Sequence, residues 1–277
     1  MAIETTSAII KGLGNQYVPF KIDKANIGNQ TAGRTCSLFR ATGQPAQGAI
    51  PTTPAICNKA LLGALQFNNV VLPIKNYIAK VSSNNSNASS NLEIRDRLAH
   101  MGGLNLTLLT SQTTTGLDLL SLAVPADRIG VATDYSDVEW FLEVYIDGGA
   151  TASLATINVT YGDGTIANLN AISVATLRAG NMLALTPLIP TAQQGKFIRG
   201  INSIILTAST GTTGNFGFTA YNLLTEIDTF VANKTETKDW AGLGLPFVPN
   251  DACLILTTFC STNSSGNIRG SGKIING

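Results

Sequence analysis

The chain has 277 residues, 44% of them hydrophobic and only 13% charged, about half the ~25% charged residues of an ordinary soluble domain. Its 18 basic and 17 acidic residues leave a net charge of +1. These figures exclude a disordered chain, which needs low hydrophobicity and high net charge. They also exclude a Glu- and Lys-rich coiled coil and a nucleic-acid binder with a basic excess. Thr, Ser, Asn, Gln and Gly take the place of the missing charge, with 27 glycines among them. The length suffices for one large domain or two small ones.

Residues 1–70 read as an irregular, extended arm. The opening residues lack a basic region followed by an apolar stretch, so no secretory signal is expected, and export would come by lysis or within an assembly. Gly and Pro interrupt every run in this segment, as in Gly43–Gly48 and Pro51–Pro54. Pro lacks a donor and Gly loosens the backbone, so neither suits a continuous element. One short helix is predicted at Pro54–Leu65, with Thr53 as its cap.

From about Lys75 the pattern changes to short strands separated by turn residues. Asn76–Val81 is the first strand, and the Ser- and Asn-rich Ser82–Asn91 reads as a loop tip. Leu92–Leu98 starts with the alternation of a half-buried strand. Asp137–Asp147 is the clearest strand. It places Val138, Trp140, Leu142, Val144 and Ile146 on one face and Glu139, Phe141, Glu143 and Tyr145 on the other. Ala152–Tyr161 is predicted as its hairpin partner. Ala167–Leu177, Phe197–Thr207 and Phe216–Asn222 follow, the last two joined by a turn at Thr210–Gly214. Glu226–Leu245 reads as a long connection, and Ala252–Cys260 with Asn267–Ile275 as a final hairpin. Such spacing predicts a mainly β protein, an antiparallel β-sandwich of jelly-roll type. The expected division is an arm at 1–70, a β-sandwich core at 71–225, and a connection with a C-terminal hairpin at 226–277. No stretch reaches the ~18 apolar residues of a membrane span.

Little here points to catalysis. The single histidine, His100, reads as a strand-end residue beside Gly102-Gly103, and no G-x-S-x-G elbow supplies a nucleophile. Asp134, Asp137, Glu139, Glu143 and Asp147 form an acidic cluster. Glu139 and Glu143 lie about 13 Å apart along one strand, beyond the ~5–9.5 Å carboxylate separation of glycosidases. A solvated strand face is the expected role for this cluster. Glu93, Arg95, Asp96 and Arg97 read as cross-strand pairs. Asp163 is a turn residue, since the further ligands of a calcium loop are missing. Cys36, Cys57, Cys253 and Cys260 form no C-x-x-C pair, so buried thiols are expected rather than a zinc site. The basic residues are scattered and no phosphate-cradling glycine motif is present. No catalytic residue, cofactor or metal ligand is therefore assigned.

Several stretches are specific as markers: Ala41-Thr-Gly-Gln-Pro-Ala-Gln-Gly-Ala-Ile-Pro51, Asp96-Arg-Leu-Ala-His-Met-Gly-Gly-Leu104, Asp137-Val-Glu-Trp-Phe-Leu-Glu143, Ala208-Ser-Thr-Gly-Thr-Thr-Gly-Asn-Phe-Gly217, and Asp251-Ala-Cys-Leu254 with Cys260-Ser-Thr262. They resemble a group of structural proteins encoded by tailed bacteriophages, over roughly Arg34 to Gly277. The resemblance implies a non-enzymatic virion component, made in the host cytoplasm, and carries no catalytic residues with it. A cement or decoration protein on the capsid head is the leading expectation. Its partners would be the major capsid protein and copies of itself in a trimer or other symmetric oligomer, with neither membrane nor nucleic acid bound directly. A tail or baseplate protein that binds a host receptor or glycan is the alternative. A glycan depolymerase using the acidic cluster is the third reading.

Overall fold

The computed structural model describes residue 3 and residues 5–25, 31–86, 90–130, 134–263 and 266–277. It is mainly β with antiparallel sheets, as the strand spacing predicts. The chain forms two compact units, one of Met1–Ala49, Asn58–Asp96 and Leu224–Gly277, the other of Ile50–Cys57 and Arg97–Leu223. Two of the four boundaries fall inside long strands, Ser90–Asn105 and Asn215–Thr229.

In the first unit, Tyr17–Ala25 pairs along its whole length with Asn267–Asn276, from Tyr17 opposite Ile275 to Ala25 opposite Asn267. Asn267–Asn276 also pairs with Asn76–Asn85, and that strand with Glu236–Asp239. Burial alternates along Tyr17–Ala25, so Phe20, Ile22 and Lys24 point inward. A second sheet sets Leu254–Cys260 between Arg34–Ser37 and the first half of Ser90–Asn105. Phe20, Ile22, Ile78, Val81, Ile268 and Ile274 from one sheet share a core with Leu92, Ile94, Leu254 and Leu256 from the other. Two antiparallel sheets enclosing one apolar layer make this unit a β-sandwich.

The arm expected at 1–70 thus contains paired strands, and also a helix at Thr6–Asn15. Thr5 caps that helix by accepting from Ala8 N. Ile9 packs with Ala79 and Ile275. Gly12 lets the helix approach, since a Cβ there would lie 3.3 Å from Ile275 Cβ. The helix predicted at Pro54–Leu65 does not form. Ala55–Ile56 instead pairs with Ala99–His100. Asn58 Oδ1 accepts from Ala60 N, and Gly63 takes φ +98°, so successive turns replace the helix.

The second unit is built the same way. Val138–Ile146 pairs with Asn181–Ala184 on one side and with Asn215–Asn222 on the other. Leu154–Tyr161 pairs with Ile198–Leu206 and with Ile166–Asn168. Trp140, Leu142, Val144, Phe216 and Phe218 from the first group meet Ala155, Ile157, Val159, Ile201 and Ile204 from the second. Trp140 Nε1 donates to Ile198 O at 2.9 Å, which satisfies its one polar atom inside that core.

Three predicted hairpins are corrected by these registers. Val138–Ile146 does not pair with Leu154–Tyr161, nor Ile198–Leu206 with Asn215–Asn222, nor Leu254–Cys260 with Asn267–Asn276. Each turn passes the chain from one sheet to the other. At Gly149 a Cβ would lie 1.9 Å from Thr210 O, so only glycine fits where two such crossings touch. The loop predicted at Ser82–Asn91 is mostly strand. Asn76–Asn85 runs through Ser82, whose Oγ meets Thr237 Oγ1 at 2.8 Å. Ser90 already opens the next strand, and residues 87–89 lie outside the described set. Likewise Glu226–Leu245 is no plain connection, since it holds the end of one strand, the strand Glu236–Asp239 and the helical turn Trp240–Leu243.

Candidate functional site

Two features of the second unit carry chemistry: a polar cluster sealed in its interior and an uncharged sheet face on its surface. The cluster begins at Glu143, which the sequence places on a solvated strand face. The structure overturns that expectation, because Glu143 is 0% exposed. Its Oε2 forms an ion pair with Arg97 Nη2 and accepts from Thr219 Oγ1 at 2.8 Å. The hydroxyls of Tyr221 and Tyr145 lie at 3.4 and 3.5 Å from the same oxygen. The Arg97 guanidinium also stands 5.5 Å over the Tyr221 ring. Phe141 lies edge-on to that ring, so the second face of the strand is also buried, at Phe141 and Glu143.

Burial acts against the Arg97 charge, but Glu143, helped by Tyr221, more than offsets it, and the guanidinium pKa rises above its usual value. His100, read as a strand-end residue, lies within the strand Ser90–Asn105 and is 0% exposed. Its Nε2 is hydrogen-bonded to the Tyr145 hydroxyl. Burial first, and the Arg97 cation second, hold the imidazole pKa well below its ordinary value. Burial, then Glu143, push the Tyr145 hydroxyl well above its own. Next to this group Arg128 donates to Cys57 O at 2.7 Å and to Arg97 O at 2.9 Å. The whole arrangement can fix strands in register. Its carboxylate and imidazole offer no atom to solvent.

Glu139 lies elsewhere, lining a cleft of about 250 Å³ with Ser136, Val138, Pro187 and Phe197. The structure therefore does not bring Glu139 and Glu143 together as paired carboxylates. Asp147 pairs with Arg178 at 2.9 Å. Asp163 behaves as the turn residue expected. It accepts from Thr165 N at 2.9 Å, and that bond, with Lys196, lowers its carboxyl pKa to about 2. Glu93 and Arg95 do pair, at 3.0 Å, but within one strand and buried rather than across an exposed sheet. All four cysteines are buried and none is in a disulfide. No group of three or more His, Cys, Asp or Glu side chains suited to a metal ion occurs among the described residues.

The surface feature lies on the outer face of the sheet formed by Ile166–Asn168, Leu154–Tyr161 and Ile198–Leu206. Ala155, Ile157 and Val159 point into the core, so Leu154, Thr156, Asn158 and Thr160 point out. Asn158 Nδ2 donates to Asn168 Oδ1 at 2.7 Å, and Asn202 Nδ2 to Asn158 Oδ1 at 2.9 Å. Thr160 Oγ1 donates to Asn202 Oδ1 at 3.1 Å, completing a ladder across three strands. Leu154, Ile166 and Ile205 flank it and are 47%, 64% and 46% exposed. None of these positions is charged. The neighbouring charges are closed into pairs, Arg199 with Asp118 at 2.8 Å and Lys196 with Asp163 at 2.9 Å.

The sequence hid both features. The partners of Glu143 come from three strands, and the asparagines of the ladder from three more, so only register unites them. One signal was present: Phe141 shares a face with Glu143, and a strand apolar on both faces is one buried on both.

No protein-family model matches the chain, and no curated protein does. Solved structures similar to it include that of the infectious bursal disease virus Gx strain, 11% identical, covering 94% of this chain and 81% of that one with a TM-score of 0.18. The VP2 subviral particle of infectious bursal disease virus is 15% identical, covering 94% and 80%, with a TM-score of 0.17. Likeness at that TM-score carries no argument about this chain. No helix among the described residues is long and apolar enough to cross a membrane.

Proposed function

We propose that the protein is a non-enzymatic structural component of a tailed-phage virion, a cement or decoration protein that covers the head lattice. It binds the major capsid protein and copies of itself. The observation that carries this reading is the uncharged sheet face around Asn158, Asn168 and Asn202. Covering charged groups requires stripping their water at a cost of several kcal/mol each. Amides that already satisfy one another, beside exposed Leu154, Ile166 and Ile205, can be covered with little such penalty. The resemblance of five sequence segments to phage structural proteins agrees with this use.

Localising the chain by cryo-electron microscopy of the assembled particle tests the assignment. The expected result is density on the capsid surface with this sheet face in contact. Density only in the tail or baseplate would replace the reading with the tail alternative. Ile205→Lys places an unpaired charge on the face while leaving the core intact. Its incorporation into particles should fall about tenfold or more, the effect of ~1.4 kcal/mol or above. Incorporation at the unsubstituted level would refute the role given to this face.

A further inference from the structure

The first unit contains a pair of thiols whose arrangement goes beyond packing. Arg34–Ser37 and Leu254–Cys260 are neighbouring antiparallel strands, with Cys36 opposite Thr258 and Arg34 opposite Cys260. Residues two apart in a strand share a face, so Cys36, Thr258 and Cys260 all point to the same side. Cys260 is thus the diagonal neighbour of Cys36. Thr258 Oγ1 lies 3.4 Å from Cys260 Sγ, and Cys36 is the neighbour that acts most strongly on the Cys260 thiol. Cys36 is 3% exposed and Cys260 1%. Of the other cysteines, Cys57 belongs to the second unit and Cys253 lies before the strand.

We propose that Cys36 and Cys260 are a latent disulfide, open in a reducing compartment and closed by a two-electron oxidant of the diazene or peroxide class. Two S–H bonds break and one S–S bond forms. The two hydrogens pass to the oxidant, turning the N=N bond of a diazene into a hydrazine or a peroxide into water. Diagonal neighbours in a sheet have Cα atoms ~7–8 Å apart, and disulfides span up to ~6.8 Å. Closure therefore draws the strands together by about 1 Å, and the bond it makes is readily reduced. Cys36, followed by burial, raises the Cys260 thiol pKa, so thiolate is scarce at neutral pH and oxidation quickens as pH rises. The bond would tie together segments far apart in sequence, restricting the unfolded chain. A particle assembled in cytoplasm and released into an oxidising medium would gain that tie after assembly. The chemistry itself does not depend on the virion assignment.

The experiment treats the folded, full-length protein with diamide at mildly alkaline pH. Remaining thiols are then blocked with N-ethylmaleimide in denaturant, and the peptides are mapped by mass spectrometry. Two of the four thiols should escape labelling, with one linked peptide pair containing Cys36 and Cys260 and a loss of two hydrogens. Dithiothreitol should restore labelling at all four. The proposal is overturned by complete labelling after diamide, by a disulfide joining any other pair, or by a bond that forms only when the chain is unfolded first.

Discussion

Replacing Glu143 by leucine tests whether the sealed cluster governs the stability of the second unit. In Glu143→Leu the Arg97 guanidinium keeps its place with a side chain 0% exposed, but loses its counter-ion. Removing one partner of a buried ion pair costs about 3–5 kcal/mol, because the remaining charge stays desolvated. The Thr219 hydroxyl, now 2.8 Å from the carboxylate, loses its acceptor too, which adds roughly 1 kcal/mol. The expected loss is therefore ~4–6 kcal/mol, a large part of the 5–15 kcal/mol that holds a typical domain together. Urea unfolding followed by far-UV circular dichroism would measure it as a fall in the midpoint at unchanged slope. The double variant Arg97→Met with Glu143→Leu removes both charges, so it should regain most of the loss and fall well short of the sum of its singles. A single variant costing under about 1 kcal/mol, or a double variant costing the full sum, would refute this account of the cluster.

Acid should act on the same unit through His100. Its folded pKa lies well below the ~6.5 of a free imidazole, so below that pH the unfolded chain takes up a proton that the folded one refuses, and stability falls. Urea midpoints between about pH 7 and about pH 5 should show this slope, and His100→Gln should flatten it; an equal slope in both proteins would contradict it. Lys24 gives the opposite end of the pH scale. Its Nζ donates to Ala41 O at 2.9 Å and Ala46 O at 3.3 Å, with no carboxylate bonded among the described residues, and burial lowers its pKa to about 8. The folded chain releases that proton first, so stability should rise from pH ~8 towards ~10.5 and the rise should vanish in Lys24→Met. Loss of stability across that window in the unsubstituted protein would reverse the reading.

Much of the fold is legible from residue order, because period-two alternation survives any arrangement of strands. Val138–Ile146 and Ile198–Leu206 lie within a residue of their predicted bounds. Partner choice is less legible. Glycine turns such as Asp147–Gly149 and Thr210–Gly214 permit a hairpin and a crossing between sheets equally well, and here they make crossings. The helix at Thr6–Asn15 is hard to read from the irregular segment around it, although Thr5 supplies a cap and Ile9, Ile10 and Leu13 lie at helical spacing. Composition hides Ser82–Asn85, where serine and asparagine form ladder hydrogen bonds in the sheet rather than a loop. Glu143 is not legible as buried because alternation reports only which face a residue occupies. Whether that face is covered depends on strands distant in sequence, here Ser90–Asn105 with Arg97 and Asn215–Thr229 with Thr219.

The pairing of Tyr17–Ala25 with Asn267–Asn276 also sets a schedule for synthesis. A ribosome adds ~5–20 residues per second, so Phe20 and Ile22 must wait tens of seconds before their neighbouring strand exists. The residues of the second unit all emerge during that interval. Its sandwich can therefore close on the growing chain while the first unit is still an open set of apolar strands. Chaperones would meet the protein in that half-built state, with the inserted unit folded and the enclosing one still waiting for Asn267–Asn276.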